Sequence, residues 1–259
     1  MLERFRQAKE AEIDTLRILA ARGELPGPFA GLRPPFIEAL RARNPLAVIA
    51  EYKRASPSRG DINLGLEPEQ AAEAYAQAGA GAISVLTEEA HFKGKMAFLE
   101  RMAGPGLPLL RKDFILHPLQ LDQTAASPAS AVLIIVRMLD EAMLRILLFR
   151  CQELGLTPVT EVFDETDLRR ARAAGAPVIQ VNNRDLDTLN VDLTLSHRLA
   201  AFKHQDEFWI SASGITRREE LETLLGLGFD AALIGSFLMR ESDPGTGLAY
   251  LLRGGTANA

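Results

Sequence analysis

The polar residues with the clearest capacity for chemistry stand at the ends of short apolar runs. Glu51 and Lys53 end the run from Leu46, Lys112 ends the run from Pro108, Glu161 ends the run from Pro158, and Asn182 and Arg184 end the run from Val178. Side chains alternate along a strand, so residues two apart share a face. If Ile49 points into the interior of a closed sheet, Glu51 and Lys53 stand above it, Lys112 stands above Leu110, and Glu161 above Val159. Two lysines and two carboxylates then meet in one cavity. Taken singly, each charge reads as half of a salt bridge. Taken as a set in a partly dry cavity, they perturb one another's protonation and suit acid–base work. A lysine held charged by carboxylates can act as a general acid, and a desolvated one as a Schiff-base nucleophile. The last two apolar runs end in Ser213-Gly214 and Gly235-Ser236. Small residues there let backbone N–H groups approach an anion. A phosphorylated small molecule and acid–base chemistry are the combined expectation.

Eight apolar runs must position these residues: 46–52, 82–87, 108–113, 131–136, 158–162, 178–182, 208–212 and 231–235. Helix-like stretches lie between them, with Gly79, Gly155, Gly175 and Gly228 at or near helix ends. Buried runs alternating with amphipathic helices indicate a parallel sheet. Eight units in this length suit one closed (β/α)8 barrel, whose active sites lie at the carboxyl ends of the strands and often hold phosphate after the last two. An open doubly wound sheet is the alternative, but the first run is not followed by its glycine-rich turn. Residues 1–45 read differently, with an amphipathic helix over 2–22 and a short second one over 36–43, and are expected to cover one surface of a barrel over 46–253. The tail, 254–259, is expected to be disordered, and no fused second domain is expected.

Composition narrows the function. With 34 acidic and 29 basic residues, the net charge of −5 disfavours a nucleic-acid partner. No run approaches the ~20 apolar residues of a membrane span, and the charged N-terminus lacks a signal-peptide core. A cytoplasmic location follows as an expectation. The single cysteine, Cys151, excludes an internal disulfide framework. It reads as packed on a helix, and Trp209 as core. The four histidines show no close metal-ligand pairing, so neither metal nor cofactor is expected.

The segments IAEYKRASPSRGDI, AISVLTEEAHFKG, LLRKDFI, VNNRDLDTL and the closing SASGI and LIGSFLMR together resemble indole-3-glycerol phosphate synthase of tryptophan biosynthesis, over about residues 46–245 and in matching order. The resemblance implies a cofactor-free barrel, a monomer or weak homo-oligomer. It would convert 1-(2-carboxyphenylamino)-1-deoxyribulose 5-phosphate to indole-3-glycerol phosphate with loss of CO₂ and water. It makes Lys112 the general acid of ring closure. Glu51 and Glu161 stabilise cationic intermediates and move protons, and Lys53 is a further acid or a phosphate-side contact. Ser56, Asn182 and Arg184 orient the substrate. Phe92, Phe114, Leu133 and Leu186 wall the anthranilate ring. Ser213, Gly214, Gly235 and Ser236 hold the phosphate.

Two departures stand out. The family usually has glutamate where this chain has Ala212, and glycine where it has Gln180. Loss of the carboxylate at 212 is expected to weaken the network orienting Lys112 and to lower turnover. A buried glutamine needs hydrogen-bond partners, so the floor of the site is expected to be rearranged. Two other readings compete. One is an isomerase-type phosphosugar barrel, disfavoured because strand 1 ends in Glu51-Tyr52-Lys53 rather than a cysteine or aspartate base. The other is a catalytically weakened barrel that binds a phosphorylated ligand, disfavoured because six site residues are retained together.

Overall fold

The computed structural model describes residues 2–43 and 45–253. The sequence runs become eight parallel strands: β1 (Ala47–Tyr52), β2 (Ala82–Leu86), β3 (Leu109–Lys112), β4 (Ala129–Ile135), β5 (Thr157–Val162), β6 (Val178–Asn182), β7 (Phe208–Ala212) and β8 (Ala231–Ile234). Each pairs with the next, and β8 returns to β1, with Ala47 opposite Ala231 and Ala50 opposite Ile234. The sheet is therefore a closed barrel, and the expected fold is the observed one. Closure buries both strand faces, which is why the runs are nearly continuous in apolar residues.

Parity divides those residues between two cores. Ile49, Leu110, Leu133, Val159, Val178, Ile210 and Leu233 fill the barrel. Val48, Ile83, Val132, Ile134, Ile179 and Ala232 face the surrounding helices, where Trp209 and Cys151 are also buried. Burial pushes the Cys151 thiol up to about 12, as suits a packing residue. The outer layer comprises α3 (Pro68–Ala78), α6 (Pro118–Ala125), α7 (Glu141–Glu153), α8 (Glu165–Ala173), α9 (Thr194–Ala200), α10 (Arg218–Gly226) and α11 (Pro244–Arg253), with short α4 (Glu89–Phe92) and α5 (Ala97–Arg101) between β2 and β3. Side-chain caps start several of them, as where the Asp140 carboxylate accepts the Met143 N–H at 2.7 Å. Gly79 ends α3 at φ 102°, a conformation open to glycine.

Two further helices, α1 (Leu2–Arg22) and α2 (Phe36–Arg41), precede the barrel. They do not cover one surface, as the sequence suggested, but reach both ends of the barrel. Phe36 and Leu40 of α2 pack among Ala47, Ala82 and Phe208 at the amino ends of the strands. Phe5 of α1 lies at the opposite mouth, stacked on Phe114 with ring centroids 4.2 Å apart. Apolar side chains beneath and above the open ends of the barrel supply the reason: each opening exposes core that a helix can bury. The tail expected to be disordered lies outside the described residues.

Candidate active site

A cavity of about 320 Å³ opens at the carboxyl ends of the strands, within the range of small-molecule sites. Strand parity brings Glu51, Lys53, Lys112, Glu161, Asn182 and Arg184 to it as expected, and Ser56, Phe92, Phe114, Leu186, Ser213, Gly214, Gly235 and Ser236 border it too. Leu133 lies below the wall, buried in the barrel. Ile135, two residues further along the same face of β4, borders the cavity instead.

The charges form two clusters. The Lys53 ammonium stands 2.7 Å from Glu51 Oε1, and the Ser84 hydroxyl donates to Glu51 Oε2 at 3.4 Å. Burial pushes the Glu51 carboxyl up. Lys53 and Lys112, with the donated hydrogen bonds, outweigh that and hold it below the usual carboxylate range. Lys112 Nζ stands 4.0 Å from Glu161 Oε2, an ion-pair distance that leaves the ammonium free to reach a ligand. Gln180 points inward, as its parity requires, and its amide donates to Glu161 Oε2 at 2.6 Å. Ala212 borders the cavity and adds no charge to it.

Gly235 is needed for a steric reason. A Cβ there would fall onto Glu51 Oε1 and within 3.0 Å of Glu51 Cβ and Cδ. Gly235→Ala is therefore expected to push the carboxylate away from Lys53. Misplacement on that scale costs about 10²-fold in turnover, and steady-state kinetics beside a thermal melt would show it. An unchanged kcat would mean that the Glu51 geometry is unimportant.

The two Ser/Gly pairs border the same cavity, the Gly235 pair directly beside Glu51. Ser213 has φ 71° and Gly214 φ 91°. Left-handed backbone is unfavourable for a serine, and Asn183 holds it there. The Asn183 amide donates to the carbonyls of Ala212 and Ser213 and to the Ser211 hydroxyl, while its Oδ1 accepts from Ser196 of α9. After Ser236 the chain enters a 3₁₀ turn over Leu238–Arg240 before α11, so the element following this pair is a short extra helix rather than a long one. Such turns accompany the phosphate sites of this architecture.

Sequence reasoning missed Phe5, Arg59 and Arg240, all of which border the cavity. Arg59 follows the short hairpin strand 55–56 and carried a local signal in its neighbours Ser56 and Ser58. Burial and the nearby Arg59 lower the proton affinity of Arg184, partly offset by Glu51. Phe5 showed helical spacing but no signal of what it would face. Among the described residues no group of three or more histidines, cysteines and carboxylates could hold a metal.

The fold and its charged mouth define a (β/α)8-barrel protein of the kind that handles small molecules at the carboxyl ends of its strands. Solved structures show the same architecture, including 3-hexulose-6-phosphate synthase (TM-score 0.60, 16% identity, 80% of this chain and 98% of that one). Another is N-acetylmannosamine-6-phosphate 2-epimerase from Clostridium perfringens (TM-score 0.58, 14% identity, 82% and 93%). At such identities the likeness is one of fold alone. The sequence pattern of indole-3-glycerol phosphate synthase matches residues 4–251. Relatives bearing that name include proteins of Desulfosudis oleivorans, 41% identical over 97% of this chain and 98% of its own length, and of Aquifex aeolicus, 43% identical over the same shares. The chain belongs to the indole-3-glycerol phosphate synthase family. Its activity is that family's ring closure in tryptophan biosynthesis, a carboxy-lyase reaction.

Proposed function

We propose that Lys112 is the general acid of this reaction and that Glu161 and Glu51 manage the protons and the cationic intermediate. The single observation that supports this reading is the placement of the Lys112 ammonium 4.0 Å from Glu161 in the cavity that also holds the Glu51–Lys53 pair. The substrate is 1-(2-carboxyphenylamino)-1-deoxyribulose 5-phosphate. Its ketose carbonyl oxygen takes a proton from Lys112, which makes that carbon electrophilic. The ring carbon bearing the carboxylate attacks it and the new C–C bond forms. Loss of CO₂ returns its bonding pair to the ring and restores aromaticity. Loss of water then completes the indole, the hydroxyl leaving with an acid's proton while Glu161 accepts the proton from the adjacent carbon. Lys53 backs Glu51 as a further acid or a contact on the phosphate side.

Binding follows the cavity's chemistry. Phe92, Phe114 and Leu186, with Phe5 and Ile135, offer the aromatic ring an apolar wall, and Leu133 supports that wall from below. Ser56, Asn182 and Arg184 orient the polar chain. Ser213, Gly214, Gly235 and Ser236 hold the phosphate, with Arg59 and Arg240 adding positive charge. No cofactor takes part. The assembly proposed with this reading is a monomer or weak homo-oligomer. Among the described residues no helix is long and apolar enough to cross a membrane, and a cytoplasmic location suits a biosynthetic enzyme.

Fluorescence of the indole product tests the reading directly. Wild type should form indole-3-glycerol phosphate from the carboxyphenylamino ketose phosphate. Ser236→Asp, which sets a carboxylate against the phosphate, should raise KM at least about tenfold with kcat nearly unchanged. An unmoved KM would remove Ser236 from the phosphate site.

A further inference from the structure

We infer that Gln180 is a positioning residue for this reaction: from the layer beneath the cavity its amide holds the Glu161 carboxylate in place. The inference rests on the reading of Glu161 as a proton acceptor. Gln180 and Glu161 are opposite each other in the β5–β6 register, and both side chains are fully buried. Gln180 Nε2 donates to Glu161 Oε2 at 2.6 Å. A carboxylate only accepts hydrogen bonds, so the amide must present its nitrogen to it. Among the described residues this is the one hydrogen bond the carboxylate receives. Glu161 Oε1 and Gln180 Oε1 are both buried without a partner.

Packing alone does not call for glutamine here. The interior around it is built from Val159, Val178 and Ile210, and an amide left with an unpaired oxygen is costly in such surroundings. The hydrogen bond to Glu161 is what the amide adds. Gln180 does not border the cavity, whereas Glu161 does. The amide thus anchors from behind Oε2, the oxygen that Lys112 approaches at 4.0 Å, and leaves Oε1 without a hydrogen bond. The other charged groups in the cavity are Lys112 on β3, Glu51 and Lys53 at the end of β1, Arg184 after β6, Arg59 beside the hairpin and Arg240 after β8. The neighbouring strands β4 and β7 present Ile135, Ile210 and Ala212 and bring no charge. Removal of the amide should therefore cost turnover through the placement of Glu161.

The experiment is steady-state kinetics of wild type, Gln180→Met, Glu161→Gln and the double variant, beside thermal melts. Methionine keeps the volume and removes the donor. Gln180→Met should lower kcat about ten- to a hundredfold with KM unchanged, the loss that follows from a misplaced catalytic group. In the Glu161→Gln background the same change should cost little more, because the group it positions is already gone. A general loosening of the barrel would lower kcat in both backgrounds. If Glu161→Gln is impaired while Gln180→Met is not, or if Gln180→Met costs the same in both backgrounds, Gln180 is not a positioning residue and the reading of Glu161 survives. If Glu161→Gln keeps wild-type turnover, that reading falls and the inference falls with it.

Discussion

Lys112→Met should lower kcat by about 10²- to 10⁴-fold, the usual contribution of a positioned general acid, while KM changes little. Methionine keeps the length and apolar contacts of the stem as β3 passes Leu110 and enters the cavity, and removes only the ammonium. The ammonium's single carboxylate neighbour within ion-pair distance among the described residues is Glu161, at 4.0 Å. Its removal therefore withdraws the proton source without collapsing a tight salt bridge. Lys53 is the control. It is held at 2.7 Å by Glu51, and Lys53→Met should remove a neighbour that keeps Glu51 ionised. If Lys53→Met abolishes turnover and Lys112→Met costs less than tenfold, the acid is Lys53 and the assignment is reversed.

The largest expected loss of stability is at Asp113, the residue next to Lys112. Its carboxylate is buried and meets Lys9 of α1 at 2.5 Å and Arg111 at 3.0 Å, while accepting from the Thr87 hydroxyl and the Phe114 N–H. Arg111 is fully buried and also donates to the Gln120 carbonyl and to Thr124 in α6. Asp113→Ala leaves two buried cations with only the partly exposed Glu12, at 2.7 Å from Lys9 and 3.3 Å from Arg111, a change that costs about 3 kcal/mol. For a chain of this size, that is a fall in Tm of roughly 10 °C. The pH dependence has a fixed sign. Burial pushes the Asp113 carboxyl up, but Arg111 and Lys9 with the hydrogen bonds from Lys9 and Thr87 hold it below the usual range. Its contribution is therefore full above the unfolded value of about 3.9 and is lost as pH falls through the lower folded value. Thermal melts from pH 7 downward should show wild type losing an increment in acid that Asp113→Ala lacks. Equal melting temperatures at neutral pH would show that this latch does not hold α1 to the barrel.

Much of the site was legible because strand parity is a local property. Glu51, Lys112, Glu161 and Asn182 reach one cavity because each stands an even number of residues beyond a barrel-filling side chain. Gln180 was likewise placed inside by parity. Its partner was not legible, since only the β5–β6 register sets it opposite Glu161. Leu133 shows the same limit from the other side. Its direction was right, but its height below the cavity depends on the stagger of β4 against its neighbours, and Ile135 takes the wall. Arg59 and Arg240 lie in turns, where no periodicity reports direction.

Phe5 is the clearest case of a residue that packing alone places. Its helical spacing marked it as apolar and inward-facing, not what it would face. Lys9, one turn further along α1, is drawn to Asp113, and that docking seats Phe5 on Phe114 with His91 edge-on at 5.0 Å. From the sequence by itself came the eight strand–helix units, the face each side chain takes, the acid–base types at the strand ends and the family resemblance, because these rest on short periods and local chemistry. The tertiary structure alone decided which heights meet around the barrel, which carboxylate oxygen Gln180 holds, and that the N-terminal helices reach both ends. Those depend on barrel stagger and on contacts between residues far apart in the chain, which no local pattern encodes.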